Sequence, residues 1–247
     1  MRLYVDDSRV IFDLGMNNGD DTAHYLAQGF NVIALDANPS LCEKAARRFQ
    51  DAIAEGRLTI LNAAIADKEG EATFYVNLDN DHWSSLDIGW AGRDASRCRE
   101  IKVRCVTLAG LFGEFGVPHY LKVDVEGVDL AVLEQLRGHD LLPRYASVED
   151  CRFGLRFIEI LASCGYDGFK LLDQSTVGRM VDRTTGLAFP AGSSGPFGDD
   201  VPGDWRSHED MMMLYSSTVR DRDGKRLAPR THWWDIHCTN LGKRRQG

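Results

Sequence analysis

Residues 10–22 read VIFDLGMNNGDDT: an apolar run of strand length enters a polar turn with glycines at 15 and 19, and helix-forming residues follow. A strand that passes through a glycine turn into a helix opens many nucleotide-binding α/β folds, where the turn and the helix N-terminus cradle an anion. This turn departs from the dinucleotide pattern. Asn17 stands where a dinucleotide loop wants glycine, and Asp13, Asp20 and Asp21 flank the turn. A pyrophosphate would be repelled by those carboxylates, so the turn suits a ligand with cationic character.

Outward from this stretch, strand-length apolar runs alternate with segments of helical period, the pattern of βαβ units and a mostly parallel sheet. The spacing predicts a helix over about 20–28, the strand NVIALDA, a helix opening at Pro39, and RLTILNAAIA as one strand. Proline suits a first helical turn because its missing N–H would have no partner there. EATFYVN and EIKVRCVTL are β-rich, and the Trp-containing stretch between them reads as a surface loop over the sheet. PHYLKVDVEG, RYASVED and YDGFKLLD supply further strands, separated by the helical stretches VDLAVLEQLRG and FGLRFIEILASCG. Right-handed crossovers place the C-terminal ends of such strands on one sheet edge. The rhythm breaks near residue 174. A Gly/Pro-rich stretch, AFPAGSSGPFGDDVPGDW, precedes a helix around SHEDMMMLYSST, and THWWDIHCTN reads as a last strand with Asp235 and His237 on one face. The expected organisation is a single domain over 1–247, with a core of about 8–173 and 230–240 and an insertion or lid of about 174–229.

Composition sets the setting. Lys+Arg of 29 against Asp+Glu of 37 gives a formal charge of -8, which argues against a nucleic-acid partner bound through phosphate neutralisation. The tail GKRRQG reads as a solvated terminus. Cysteines 42, 98, 105, 151, 164 and 238 form no C-x-x-C pair, so neither a zinc knuckle nor a disulfide framework is expected, and a reducing cytoplasm fits. No signal-type apolar segment or bilayer-length run is visible, so no membrane association is expected.

The second strand ends in Asp36, suited to accept hydrogen bonds from both hydroxyls of a ribose. A ribose together with a positive charge describes S-adenosylmethionine. The pieces DLGMNNGDDT, LDANP, LNAAIAD, the Ser-Ser-Leu at 84–86 and YLKVDVEGVDLAVL resemble, in this order, the FkbM family of class I S-adenosylmethionine-dependent methyltransferases. The resemblance covers roughly residues 10–150. It departs at Asp36, where the family often shows Glu, and the tail after 174 carries no diagnostic motif. It implies a doubly wound, seven-stranded Rossmann-like α/β sheet with helices on both faces and a long insertion before the last strand. It also implies that the turn from Gly15 to Gly19 lies against the methionine part of the cofactor. Asp13 would orient that turn or meet the amino group, Asn17 and Thr22 would bond the carboxylate end, and Asp36, followed by Ala37, would hold the ribose. Asn62 and Ala64 would border the adenine. O-methylation of a small-molecule, sugar or natural-product hydroxyl is the implied activity. The rival readings are a cofactor-binding module without catalysis and a nicotinamide-dependent oxidoreductase.

The reaction site is expected where a central strand ends in K-V-D-V-E-G. Asp124 and Glu126 are suited to proton acceptance, substrate positioning or coordination of a divalent ion. For Glu126, capping of the following helix is an equal alternative. Glu149 and Asp150 end the neighbouring strand, and Asp124, Glu149 and Asp150 are the candidate metal ligands. His237 joins the catalytic candidates through its titration near neutral pH; His82, His208 and His232 have weaker cases. Trp83, Trp90 and Trp205, with loops 77–100 and 190–203, are candidate acceptor walls.

Overall fold

The computed structural model describes residues 3–4 and 8–242, so most of the basic tail lies outside the described residues. The chain runs β1 (Val10–Leu14), α1 (Asp20–Ala27), β2 (Asn31–Asp36), α2 (Pro39–Arg48), β3 (Leu58–Asn62), β4 (Ala64–Ile65), β5 (Gly70–Asn77), β6 (Cys98–Val106) and α3 (Leu108–Phe115). It continues through β7 (Tyr120–Val123), α4 (Asp129–Gln135), β8 (Tyr145–Glu149), α5 (Gly154–Ser163), β9 (Gly168–Asp173), α6 (His208–Thr218) and β10 (Trp234–Thr239). Among the described residues, no helix is long and apolar enough to cross a membrane.

Seven strands form a mixed sheet in the order β9-β10-β8-β7-β1-β2-β3. The pairs from β8 through β7, β1 and β2 to β3 are parallel, and β10 is antiparallel to both β8 and β9. The reversal has a simple cause: the insertion leaves the sheet at Asp173 and returns at Trp234, its register partner, so the chain re-enters from the edge it left. The helices follow from sequence as expected. In α2, Pro39 occupies the first turn and the Asn38 side chain accepts from Ser40 N–H, a cap at the end where backbone donors lack partners. The final turn of α2 carries Arg47 and Arg48, favourable at the negative end of the helix dipole.

The stretch RLTILNAAIA is two strands, not one. At Ala63 the backbone N–H turns to the carbonyls of Asp36 and Leu61, and the chain leaves the main sheet. Ala64–Ile65 then joins a second, three-stranded sheet ordered β4-β6-β5. This break carries Ala64 away from Asn62 and opens space beside the end of β2.

One face of the main sheet packs an apolar core in which Phe12, Leu14, Leu121, Val123, Val148 and Ile236 meet the helices α3 to α6. The other face is polar in its middle, because Asp13, Lys122, Ser147, His237 and Lys170 stand in one cross-strand row. The insertion covers this row. Phe197 stacks on Tyr120 at 4.3 Å, Ser194 N–H donates to Asp21 at 2.9 Å, and the Lys170 ammonium donates to the Val201 carbonyl.

Candidate active site

The site begins where β1 ends. Gly15 adopts φ +87, and its N–H and that of Met16 both donate to the Leu35 carbonyl at 2.9 and 3.0 Å, fastening the turn to β2. A Cβ on Gly15 would lie 1.7 Å from the Asp124 carbonyl oxygen, so this backbone approach requires glycine. Asn17 is also left-handed, at φ +50, and its N–H donates to one Asp36 oxygen at 2.9 Å. Asn38 N–H donates to the other at 2.8 Å. Burial pushes the Asp36 carboxyl up to about 6, while these two donors pull the other way. Each oxygen keeps a free lone pair, which suits two further hydroxyl donors.

Gly15, Asn17, Asp36, Ala37, Ala64, Asp124 and Glu126 line one cleft. Leu41, Ile65, Phe74 and Val125 give it apolar walls, and Asp81, His82, Ser84 and Leu86 reach it from the segment after β5. The structure places four other candidates outside this lining. Asp13 is fully buried and accepts from the Thr22 hydroxyl at 2.6 Å. Gly19 caps α1 against the Phe49 ring, and the Asn62 amide supports the carbonyls of Asp36 and Ala37 at 3.0 and 3.2 Å.

Sequence reasoning missed the cation at the centre. Lys122 is buried, and its ammonium lies 3.2 Å from Asp13, 3.5 Å from Asp124 and 3.8 Å from Asp21, while donating to the Gly15 carbonyl at 3.1 Å. Burial alone would favour the neutral amine, but these carboxylates outweigh it and push the ammonium well above its ordinary range. The register partner of Lys122 on β1 is Asp13, a pairing across more than 100 residues that no local pattern announces.

Asp124, Glu126 and Glu149 come together, each with an oxygen within 4.8 Å of the others. Burial, then Asp124, raises Glu126 to about 7, against the pull of Arg93. Desolvation, then Asp124, pushes the Glu149 carboxyl well above its ordinary value. Glu126 does not cap the next helix, whose N-cap residue Val128 has no side-chain bond; Asp129, in the first turn, instead fastens the preceding turn, accepting from Val125 and Gly127 N–H at 2.9 Å each. Asp150, one residue past the end of β8, lies apart from the trio. It pairs with Arg220 at 3.1 Å and accepts from the Tyr215 hydroxyl beneath α6. Lys122 and Arg93 already balance charge at Asp124 and Glu126, which leaves the trio poorly matched to a divalent ion.

His237 is buried in the polar row, not in the cleft wall, and burial lowers it to about 3. Asp235, its neighbour on that face, accepts from the Gln174 amide behind Glu149. Trp205 stacks on Tyr145 at 6.2 Å, and no residue of the insertion lines the cleft. His82 does line it, 3.4 Å from the Asn17 amide. His208 stands beside Phe169, and His232 pairs with Asp173 at 2.6 Å.

No curated protein matches the chain. Among solved structures it is similar to a methyltransferase FkbM from Methylobacillus flagellatus KT, at 16% identity and a TM-score of 0.37, covering 60% of this chain and 34% of that one. It thus spans about a third of that protein. A precorrin-6y C5,15-methyltransferase from Geobacter metallireducens GS-15 is 9% identical, with a TM-score of 0.41 and coverage of 96% and 82%. A methyltransferase described as putative, from Thermoplasma acidophilum, is 10% identical, with a TM-score of 0.42 and coverage of 98% and 71%. The family comparison is the decisive one, because it spans residues 13–183, from the end of β1 past β9, and so contains both the Gly15–Gly19 turn and the carboxylate trio. This chain belongs to the methyltransferase FkbM domain family.

Proposed function

We propose that this protein is an S-adenosylmethionine-dependent methyltransferase acting on a hydroxyl of a small molecule, sugar or natural-product intermediate. The observation that carries the reading is the single cleft that joins the Gly15–Asn17 turn and Asp36 to Asp124. Asp36 is placed for the ribose, Ala37 and Ala64 leave room beside it, and Leu41, Ile65 and Phe74 offer an adenine its apolar surroundings. The acids flanking the turn are paired with Lys122 and Arg48, and it is Asp36, Asp81, Asp124 and Glu126 on the cleft wall that favour a cationic ligand.

Bound S-adenosylmethionine supplies a methyl group on a positively charged sulfur, a leaving group already activated. The protein's task is to align an acceptor oxygen behind the methyl and to take its proton. Alignment in such systems contributes about 7–11 kcal/mol, and a general base about 10²–10⁴-fold. Asp124 is the proposed base, since it faces the cleft and its side chain is 28% exposed. Glu149 stands within 4.8 Å of Asp124, and burial beside that carboxylate raises the Glu149 carboxyl above its ordinary value. The Gly15–Asn17 turn and Asp36 would hold the cofactor, and Asp124 would take the proton of the acceptor hydroxyl.

Thermal unfolding in the presence of S-adenosylmethionine, S-adenosylhomocysteine, NAD and NADP tests the cofactor assignment. A ligand at 100 times its dissociation constant stabilises by about 2.7 kcal/mol, a shift of roughly 5–10 °C for a chain of this size. The first two ligands are expected to give that shift and the nicotinamides none. The opposite pattern makes the protein a nicotinamide enzyme.

A further inference from the structure

The segment between β5 and β6 does more than cover the cleft, because its contacts converge on one residue. The Ser85 hydroxyl donates to the Glu126 carbonyl at 2.5 Å. The Trp90 indole N–H donates to the Glu126 carboxylate, and both terminal nitrogens of Arg93 donate to the same oxygen at 3.1 Å. Arg93 lies 4.5 Å from the ring centres of both Trp83 and Trp90, so the guanidinium is stacked as well as paired. Gly127 makes room for this arrangement, since a Cβ there would lie 2.8 Å from the Trp90 ring. The opposite side of the segment reaches the cofactor turn, where His82 meets Asn17.

Backbone strain marks the same places. Among the described residues, the non-glycine positions with left-handed backbone are Asn17, Asp94, Ala95 and Glu126. One is in the Gly15–Gly19 turn, two directly follow Arg93, and the last is the residue on which the contacts converge. Such conformations persist only where surrounding contacts hold them, and they concentrate at ligand clamps and switch regions. Helix capping, the ordinary reason for an acid here, does not account for Glu126: the helix cap has no side-chain bond, and the Glu126 carboxylate accepts from Trp90 and Arg93.

We propose that Glu126 is a positioning residue which latches residues 77–97 over the cofactor cleft, so that Arg93 and Trp90 set how long a bound cofactor stays. The proposal rests on the cofactor assignment made above. Glu126 acts through the segment it holds and moves no proton in this role. When the latch is fastened, Asp81, His82, Ser84 and Leu86 wall the cleft. When it opens, the same residues withdraw and the ligand is free to leave.

Arg93 and Trp90 do not line the cleft, so their substitution changes the latch without touching the ligand. The experiment is stopped-flow tryptophan fluorescence of S-adenosylhomocysteine binding to the full chain, comparing wild type with Arg93→Met, Trp90→Phe and Arg93→Lys. Loss of a hydrogen bond to a charged group is expected to speed dissociation roughly tenfold for Arg93→Met, with less change in association. Arg93→Lys keeps the charge and is expected to recover part of the slow dissociation. Arg220→Met, which removes an ion pair remote from the cleft, serves as the control for lost stability and is expected to leave dissociation unchanged. Where Trp90→Phe alters the signal itself, competition against a fluorescent analogue gives the rate. Dissociation rates equal to wild type in Arg93→Met, or an Arg220→Met rate that rises equally, overturn the latch while leaving the cofactor assignment intact. Failure of the wild type to bind S-adenosylhomocysteine overturns both.

Discussion

Gly15→Ala is expected to lower the affinity for S-adenosylhomocysteine by at least about a hundredfold, the equivalent of about 2.8 kcal/mol. The new methyl group would lie 1.7 Å from the Asp124 carbonyl oxygen, well inside any allowed contact. The collision is with backbone, so no side chain can swing aside. The turn must separate from the end of β7, and that movement pulls apart the two halves of the cleft. The left-handed φ of +87 adds strain of about 1–2 kcal/mol for any residue bearing a Cβ. Together these effects are expected to cost about 3–4 kcal/mol, a fall in melting temperature of roughly 6–16 °C. Calorimetric titration and a melting curve check both values. An alanine variant that binds the ligand within about threefold of wild type would show that the contact between the turn and Asp124 does not organise the site.

Lys122→Met carries the other large effect. The substitution keeps most of the side-chain volume and removes the charge, leaving Asp13, fully buried, with the Thr22 hydroxyl as its hydrogen-bond donor. Removing one member of a buried ion pair typically costs about 3–5 kcal/mol, because the remaining charge stays desolvated. A loss of roughly 6–20 °C in melting temperature follows. Asp13→Asn combined with Lys122→Met is expected to recover much of that stability, since the stranded charge is gone. It is not expected to recover ligand affinity, because the tie from Lys122 to Gly15 O and Asp124 is still missing. A single variant that melts within about 2 °C of wild type would contradict the central role given to this ammonium.

The elements nearest the cofactor turn were legible because their signals are local. VIFDL and NVIALD are apolar runs ending at a glycine turn and at a proline, and α2 starts at Pro39 as its geometry requires. Asp36 was readable from its position at a strand end. What escaped depended on contacts distant in sequence. The split of RLTILNAAIA at Ala63 comes from the Asp36 carbonyl, an acceptor on another strand. Lys122 sits in a four-residue strand between apolar neighbours, and its partners Asp13 and Asp21 lie more than 100 residues earlier, so nothing local announces a buried cation. Asp124 and Glu126 were paired by strand alternation, yet β7 ends at Val123 and the two meet through the left-handed turn at Glu126. Asp150, one residue past the end of β8, likewise leaves the trio and pairs with Arg220. Tertiary context also explains His237: the row in which it stands is roofed by the insertion, which no periodicity in the Gly/Pro-rich stretch foretells.

The central claim is that one cleft places a cofactor ribose at Asp36 and its reacting sulfur before Asp124. A crystal structure of the protein with S-adenosylhomocysteine tests it most directly. The account predicts both ribose hydroxyls on the Asp36 carboxylate, the adenine beside Ala64 and Phe74, and open space before the sulfur with Asp124 on its border. A ligand bound elsewhere, or a sulfur turned away from Asp124 with no carboxylate bordering the open space, would contradict it.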